Sequence, residues 1–274
     1  MSAGTVIVMG LIAGGTIFLG LPVGRLSVSA RGLRALLNAV TIGVLLFLLW
    51  DVLVHAVEPV DAALTAAVIE KSSSWGDFVI LTALLFAGIS VGVLGLVAYD
   101  GWTARRTLLR VAAEKSGVLR LGEPASRLAF LIAVGIGLHN FAEGLAIGQS
   151  AAGGELQLAT VLVVGFALHN ATEGFGITAP LAGSDGRPSW RQLAVLGLIG
   201  GGPTLMGTVL GSVVVNDPLS LTFLALAAGS IIYVLVQIIA VARDMRGGYL
   251  TYIGLLIGLF AGFGTDFVVT AAGV

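Results

Sequence analysis

The amino-acid sequence predicts an all-α membrane protein of eight transmembrane helices with both termini extracytoplasmic, and three observations carry that prediction. The first is composition. Of 274 residues, 57% are hydrophobic and 11% charged, and mean hydropathy is +1.03, which leaves too little polar surface to cover a soluble globule of this size. The second is a series of eight apolar runs, each close to the ~20 residues that a helix needs to cross ~30 Å of hydrocarbon. The third is the one-sided placement of basic residues between those runs.

In chain order the predicted spans are 4 to 22, 33 to 57, 76 to 99, 127 to 150, 156 to 180, 191 to 215, 218 to 242 and 249 to 272. The first is expected to stay in the mature chain, because a cleaved signal peptide carries basic residues ahead of its apolar stretch and the first Lys or Arg here is Arg25. Forty glycines against seven prolines suit closely packed membrane helices. The pairs Gly88/Gly92, Gly144/Gly148 and Gly207/Gly211 and the triplet Gly254/Gly258/Gly262 have the spacing that lets two backbones approach. A short Gly153-Gly154 turn joins the fourth and fifth spans, making them antiparallel neighbours.

Orientation follows from the basic residues, since loops rich in Lys and Arg stay in the cytoplasm. Arg25, Arg31 and Arg34 surround the first connection, and Arg105, Arg106, Arg110, Lys115, Arg120 and Arg127 the third. Arg187 and Arg191 flank the fifth, and Arg243 and Arg246 the seventh. Only Lys71 lies on the other side, with Glu58, Asp61, Glu70, Asp77, Glu155 and Asp217. The longest connection, 100 to 126, holds no histidine, and its arginines read as topogenic charge. The whole chain, 1 to 274, is expected to form a single transmembrane domain.

A net charge of −1 gives no basic bias, so nucleic acid is not an expected partner; membrane lipids are. No cysteine occurs, which removes disulfides, thiolate ligands and thiol redox chemistry. Any metal must be held by nitrogen and oxygen.

Glu143 and Glu173 fall inside predicted spans, with no Lys or Arg at their depth. A carboxylate at mid-membrane costs roughly 2.5 to 3.5 kcal/mol on insertion scales, and a bound cation offsets that cost. On a helix, positions i and i+4 share a face and i+3 lies beside them, so His139, Asn140 and Glu143 form one polar patch. His169, Asn170 and Glu173 repeat it in the next span, at a similar depth. Facing patches offer two imidazoles, two carboxylates and two amide oxygens. That donor set suits Zn(II), Fe(II), Mn(II), Co(II), Ni(II) or Cd(II), whereas Mg(II) and Ca(II) favour all-oxygen shells and Cu(I) favours sulfur.

These segments, His139-Asn140-Phe141-Ala142-Glu143-Gly144 and His169-Asn170-Ala171-Thr172-Glu173-Gly174, resemble the paired motifs of the ZIP (Zrt-, Irt-like) metal transporters. The resemblance implies a ZIP-like helix bundle of the bacterial or archaeal type, set in a prokaryotic cell (inner) membrane, with the metal site between the fourth and fifth helices. It also implies transport of zinc or a similar ion into the cytoplasm by elevator-like alternating access, often as a homodimer. The metal is then cargo, and no cofactor is expected.

Three departures are visible. Ala142 and Thr172 stand where many members have proline, Gly201-Gly202-Pro203 stands where the sixth helix usually has a bridging glutamate, and Gln237 stands at an acid or histidine position of the seventh helix. With two carboxylates and no third, one divalent ion is the expected load, and Gly202→Glu is expected to help a second to bind.

Other polar positions offer a pathway. Asp51 and His55 are spaced i, i+4 near the outer end of the second span, with Glu58 beyond, and read either as a metal-capturing mouth or as a solvated helix end with a local His-Asp hydrogen bond. Asp266 either lines a pathway or accepts hydrogen bonds from Thr265 and tyrosine side chains, and Gln237 reads as structural or as part of a pathway. Two competing functions use the same residues. An intramembrane metal-dependent hydrolase needs a zinc-activated water and a separate base, for which His-Glu-x-x-His is missing; a metal-selective channel needs no alternating access. No Walker motif points to ATP.

Overall fold

The structure is a computed structural model, and the residues it describes are 2–25, 31–70, 75–109, 117–154, 156–181, 187–214, 217–244 and 247–271. Lys71, Arg110, Lys115, Glu155 and Arg246 lie outside them, as do the side chains of Arg31, Arg34, Glu70, Arg105, Arg106, His169 and Asp217.

Eight helical spans follow one another, with no strand among the described residues. α1 is Ala3–Gly15, capped by the Ser2 hydroxyl, which accepts from the Thr5 N–H. Past a break at Thr16 it continues as a single turn, Ile17–Gly20, and a tighter 3-10 turn, Leu21–Arg25. α2 (Arg31–Thr65) and α3 (Trp75–Leu109) follow. α4 (Pro124–Ala152) starts on a proline, whose missing N–H costs nothing in the first turn. It stops at Gly153-Gly154, where the positive φ of 82° at Gly154 turns the chain into α5 (Leu156–Thr178). α6 (Trp190–Gly211) is capped by Ser189; α7 (Asp217–Asp244) and α8 (Tyr249–Ala271) complete the bundle. An even number of crossings puts the starts of α1 and the end of α8 at the same face.

The span count and the centre of each span agree with the sequence reading. Two ends do not. α2 runs eight residues past 57, through Pro59, and passes into a π-helical segment Ala66–Glu70; α3 runs to Leu109 rather than 99. Each therefore has 35 residues, or about 52 Å of helix against ~30 Å of hydrocarbon. Hydropathy finds where a helix leaves the apolar layer, and the helix-forming residues beyond, such as Ala62, Ala63 and Leu64, keep it wound in water.

Packing sorts the spans into two sets. α4 packs along α6 and beside α5, and α1 covers α6 and α5; α2 packs along α8 and α7, and α3 along α7 and beside α2. The sets meet chiefly where α4 lies on α7 and α5 on α8 and α2. With lipid as apolar as leucine, close contact rather than water exclusion holds such helices together. Glycine makes that contact. A Cβ on Gly144 would strike the Thr204 carbonyl oxygen, and one on Gly207 the Phe141 carbonyl oxygen, so α4 and α6 touch backbone to backbone. Gly92 against Leu226 and Gly258 against Val40 do the same for α3–α7 and α2–α8, as the small-residue spacing predicts. α4 is the most enclosed of the spans.

Candidate functional site

Residues His139, Asn140 and Glu143 on α4, and Asn170 and Glu173 on α5, are all buried. Helical spacing sets His139 Nε2 3.1 Å from the Glu143 Oε1 one turn along α4, and the antiparallel packing of α5 brings Glu173 Oε1 to 3.8 Å from the same nitrogen. Two carboxylates thus converge on one imidazole in the middle of the bundle. His169 lies on α5 four residues before Glu173, but its side chain is outside the described residues. Among the described residues, which leave out the His169 side chain, no three His, Asp or Glu side chains stand at metal-ligand spacing.

The two asparagines share a role that sequence alone does not display. Asn140 Nδ2 donates to the Gly200 carbonyl of α6 at 3.0 Å, and Asn170 Nδ2 donates to the Ala13 carbonyl of α1 at 2.9 Å. The Gly200 carbonyl lies on α6 next to that of Ile199, which Pro203 deprives of its helical donor, and the Ala13 carbonyl lies in the last turn of α1, where it also accepts from the Thr16 hydroxyl at 2.8 Å. Donation by the amide nitrogen fixes the way each amide faces. Each Oδ1 is buried with no hydrogen-bond partner among the described residues.

The glycine that ends each motif completes the anchorage. Gly144 abuts the Thr204 carbonyl on α6 and Gly174 the Ile17 carbonyl in the turn that continues α1. Each six-residue segment is therefore bound to a neighbouring helix through its asparagine and its glycine, with histidine and glutamate between.

A cavity of about 360 Å³ lies between the two helix sets, lined by His139 and Glu143 at its floor and by Asp51, His55, Gln149 and Asp266 among its walls. Glu173 does not line it. His55 Nδ1 is 2.9 Å from the Asp51 carbonyl oxygen and 3.6 Å from Asp51 Oδ1, the local pairing that the i, i+4 spacing predicts. The Thr265 hydroxyl donates to the Gly262 carbonyl rather than to Asp266. Gln237 is remote from the cavity lining, its Nε2 donating to the Tyr233 hydroxyl at 3.0 Å.

Against known families, the model described as ZIP zinc transporter matches residues 113–269, more than half of the chain and both motifs. The chain belongs to the ZIP family. No curated protein matches it. As a ZIP member it is an integral membrane protein that transports a divalent metal, and the family consists of transporters rather than enzymes.

In this ZIP chain the structure corrects the reading of one position and brings two others into the cavity. Gly202 is half-buried and stands in line along α6 with the exposed Leu198 and Met206, and a Cβ there meets nothing within 4 Å. A glutamate at 202 therefore projects from the outer surface of α6, and the expectation that it completes a second metal site is withdrawn. Gln149 and Ser220 were not singled out, yet Gln149 Nε2 donates to Ser220 Oγ at 3.2 Å and both line the cavity, bridging α4 and α7. Their only sequence signal is a polar residue one or two turns outward from Glu143 in an otherwise apolar stretch.

Proposed function

We propose that this chain moves a zinc-type divalent ion into the cytoplasm by alternating access, through a site made by His139, Asn140, Glu143, His169, Asn170 and Glu173. The observation that carries the reading is the cavity, because one continuous space runs from Asp51, His55 and Asp266 to His139 and Glu143. An ion arriving at the mouth meets carboxylates and an imidazole that replace part of its water. At the floor it displaces the contact between His139 and the two carboxylates. Glu143 and Glu173 then balance its two positive charges, and the free Oδ1 atoms of Asn140 and Asn170 add neutral donors. A second divalent ion beside the first has no third carboxylate to neutralise it, which gives one ion per protomer.

The mouth is taken as extracytoplasmic on the strength of the basic residues, which crowd the opposite face. That orientation puts both termini outside, in a prokaryotic cell membrane, with the whole chain as one transport domain and a homodimer as its assembly. Zinc heads the candidate ions because nitrogen and carboxylate oxygen donors suit it; Fe, Mn, Co, Ni and Cd share that preference.

Uptake of radioactive zinc into proteoliposomes tests the reading. The double variant Glu143→Gln/Glu173→Gln keeps side-chain volume while removing both charges, and its uptake is expected to fall to the level of empty vesicles with insertion unchanged. Uptake at the parent rate by that variant would sink the site assignment.

A further inference from the structure

Arg127 stands in the first turn of α4, where the helix's partial positive charge disfavours a cation. Its placement is explained from outside the helix. Arg127 Nε lies 3.1 Å from Asp100 Oδ1, near the end of α3, and the same carboxylate is within hydrogen-bonding reach of the Tyr233 hydroxyl on α7. Gln237, one turn along α7, donates to that hydroxyl. Beside the ion pair, the rings of Tyr99 on α3 and Phe130 on α4 sit 6.0 Å apart. α3 and α4 otherwise share little backbone contact, so side chains alone bridge them here.

Two features of position give this bridge a mechanical meaning. Asp100, Tyr233 and Gln237 belong to the α2/α3/α7/α8 set, while Arg127 belongs to the α1/α4/α5/α6 set that holds His139, Glu143 and Glu173. Arg127 also precedes His139 by twelve residues, about 18 Å down α4, whereas the cavity opens the other way, past Gln149. The ion pair therefore ties the two sets together at the end where the site is closed.

We propose that Asp100 and Arg127 form a latch that holds the transporter in its cavity-open state, with Tyr233 and Gln237 fixing the carboxylate, and that the latch must part before the site is exposed to the arginine-rich face. The proposal rests on the alternating-access reading. It assigns Gln237 to the latch rather than to the ion's path.

Cysteine accessibility, read without metal, tests it in the cysteine-free chain. Ser230→Cys reports the closed end, because Ser230 is buried on α7 facing Gly135 of α4; Ala146→Cys reports the cavity. In Asp100→Asn and in Arg127→Gln, a membrane-impermeant thiol reagent is expected to label Ser230→Cys roughly two- to five-fold faster from the arginine-rich face, the range a partly exposed ion pair supports. Labelling of Ala146→Cys from the opposite face is expected to slow in the same variants. Exchange of the charges, Asp100→Arg with Arg127→Asp, is expected to return both rates towards the parent. Unchanged rates, a rise at both positions, or failure of the exchange to restore them would each overturn the latch. If the shifts occur while Glu143→Gln/Glu173→Gln still takes up zinc, the site assignment falls and the latch stands.

Discussion

The two His-Asn-x-x-Glu-Gly segments are the same sentence spoken in two rooms. The α4 copy is packed on several sides, by α5, α6 and α7, on the most enclosed of the spans; α5 is less enclosed, with Val164 and Leu168 exposed nearby. Even so, the anchoring contacts are alike, an asparagine donating to a carbonyl of a neighbouring helix and a glycine pressed on a backbone. What differs is the glutamate. Glu143 lines the cavity and Glu173 stands behind it, reaching His139 at 3.8 Å. Repetition of sequence thus fixes how each segment is held, while the neighbours decide which carboxylate faces the cavity.

The largest expected effect breaks the shared anchorage. Gly144→Leu and Gly174→Leu each force a side chain into a facing carbonyl, at a cost of about 3 kcal/mol or more. Both variants should lose thermal stability in detergent to a similar degree; tolerance of one alone would show that the copies are not anchored alike. Next comes the difference between the carboxylates. With thiols introduced singly, Glu143→Cys should react with a small water-borne reagent roughly ten-fold faster than Glu173→Cys, because access governs the rate. Equal rates would erase the distinction drawn from the cavity. The smallest effect concerns the clamps. Asn140→Ala and Asn170→Ala each remove a buried hydrogen bond between helices, worth about 1 kcal/mol, and matched shifts in unfolding temperature are expected. A large mismatch would mean that one asparagine holds its helix and the other does not.

Much of this arrangement was legible beforehand because it depends on periodicity. A run of apolar residues long enough for the bilayer gives a span, and i, i+4 spacing puts His139 over Glu143 whatever surrounds them. The antiparallel approach of α5 was likewise readable from the Gly153-Gly154 turn. Partners across the bundle were not. Nothing local to Asn140 or Asn170 names Gly200 or Ala13, which lie 60 and 157 residues away in sequence and come within reach only through the packing of α4 on α6 and of α5 on α1. Asp100 was invisible for a similar reason. An acid near a basic loop looks like ordinary surface charge until packing sets it against Arg127. Gly202 misled because alignment of a motif gives a residue's place along α6 but not the side of the helix from which it points.

The glycine contacts between α4 and α6 also decide what can slide. Gly137, Gly144 and Gly148 meet the carbonyls of Ile199, Thr204 and Thr208, while Gly207 and Gly211 meet those of Phe141 and Leu145. Moving one helix along the other by a single residue would set a bulkier side chain, such as Leu145, where glycine now touches backbone. The two are keyed like the teeth of a rack, fixed in axial register over about three turns. Any stroke that shifts His139 and Glu143 must haul α6 with it, and through the glycines at 10, 14 and 201 α1 as well. On the alternating-access reading, the smallest piece of this molecule that can travel with the ion is thus a pack of helices, never a single one.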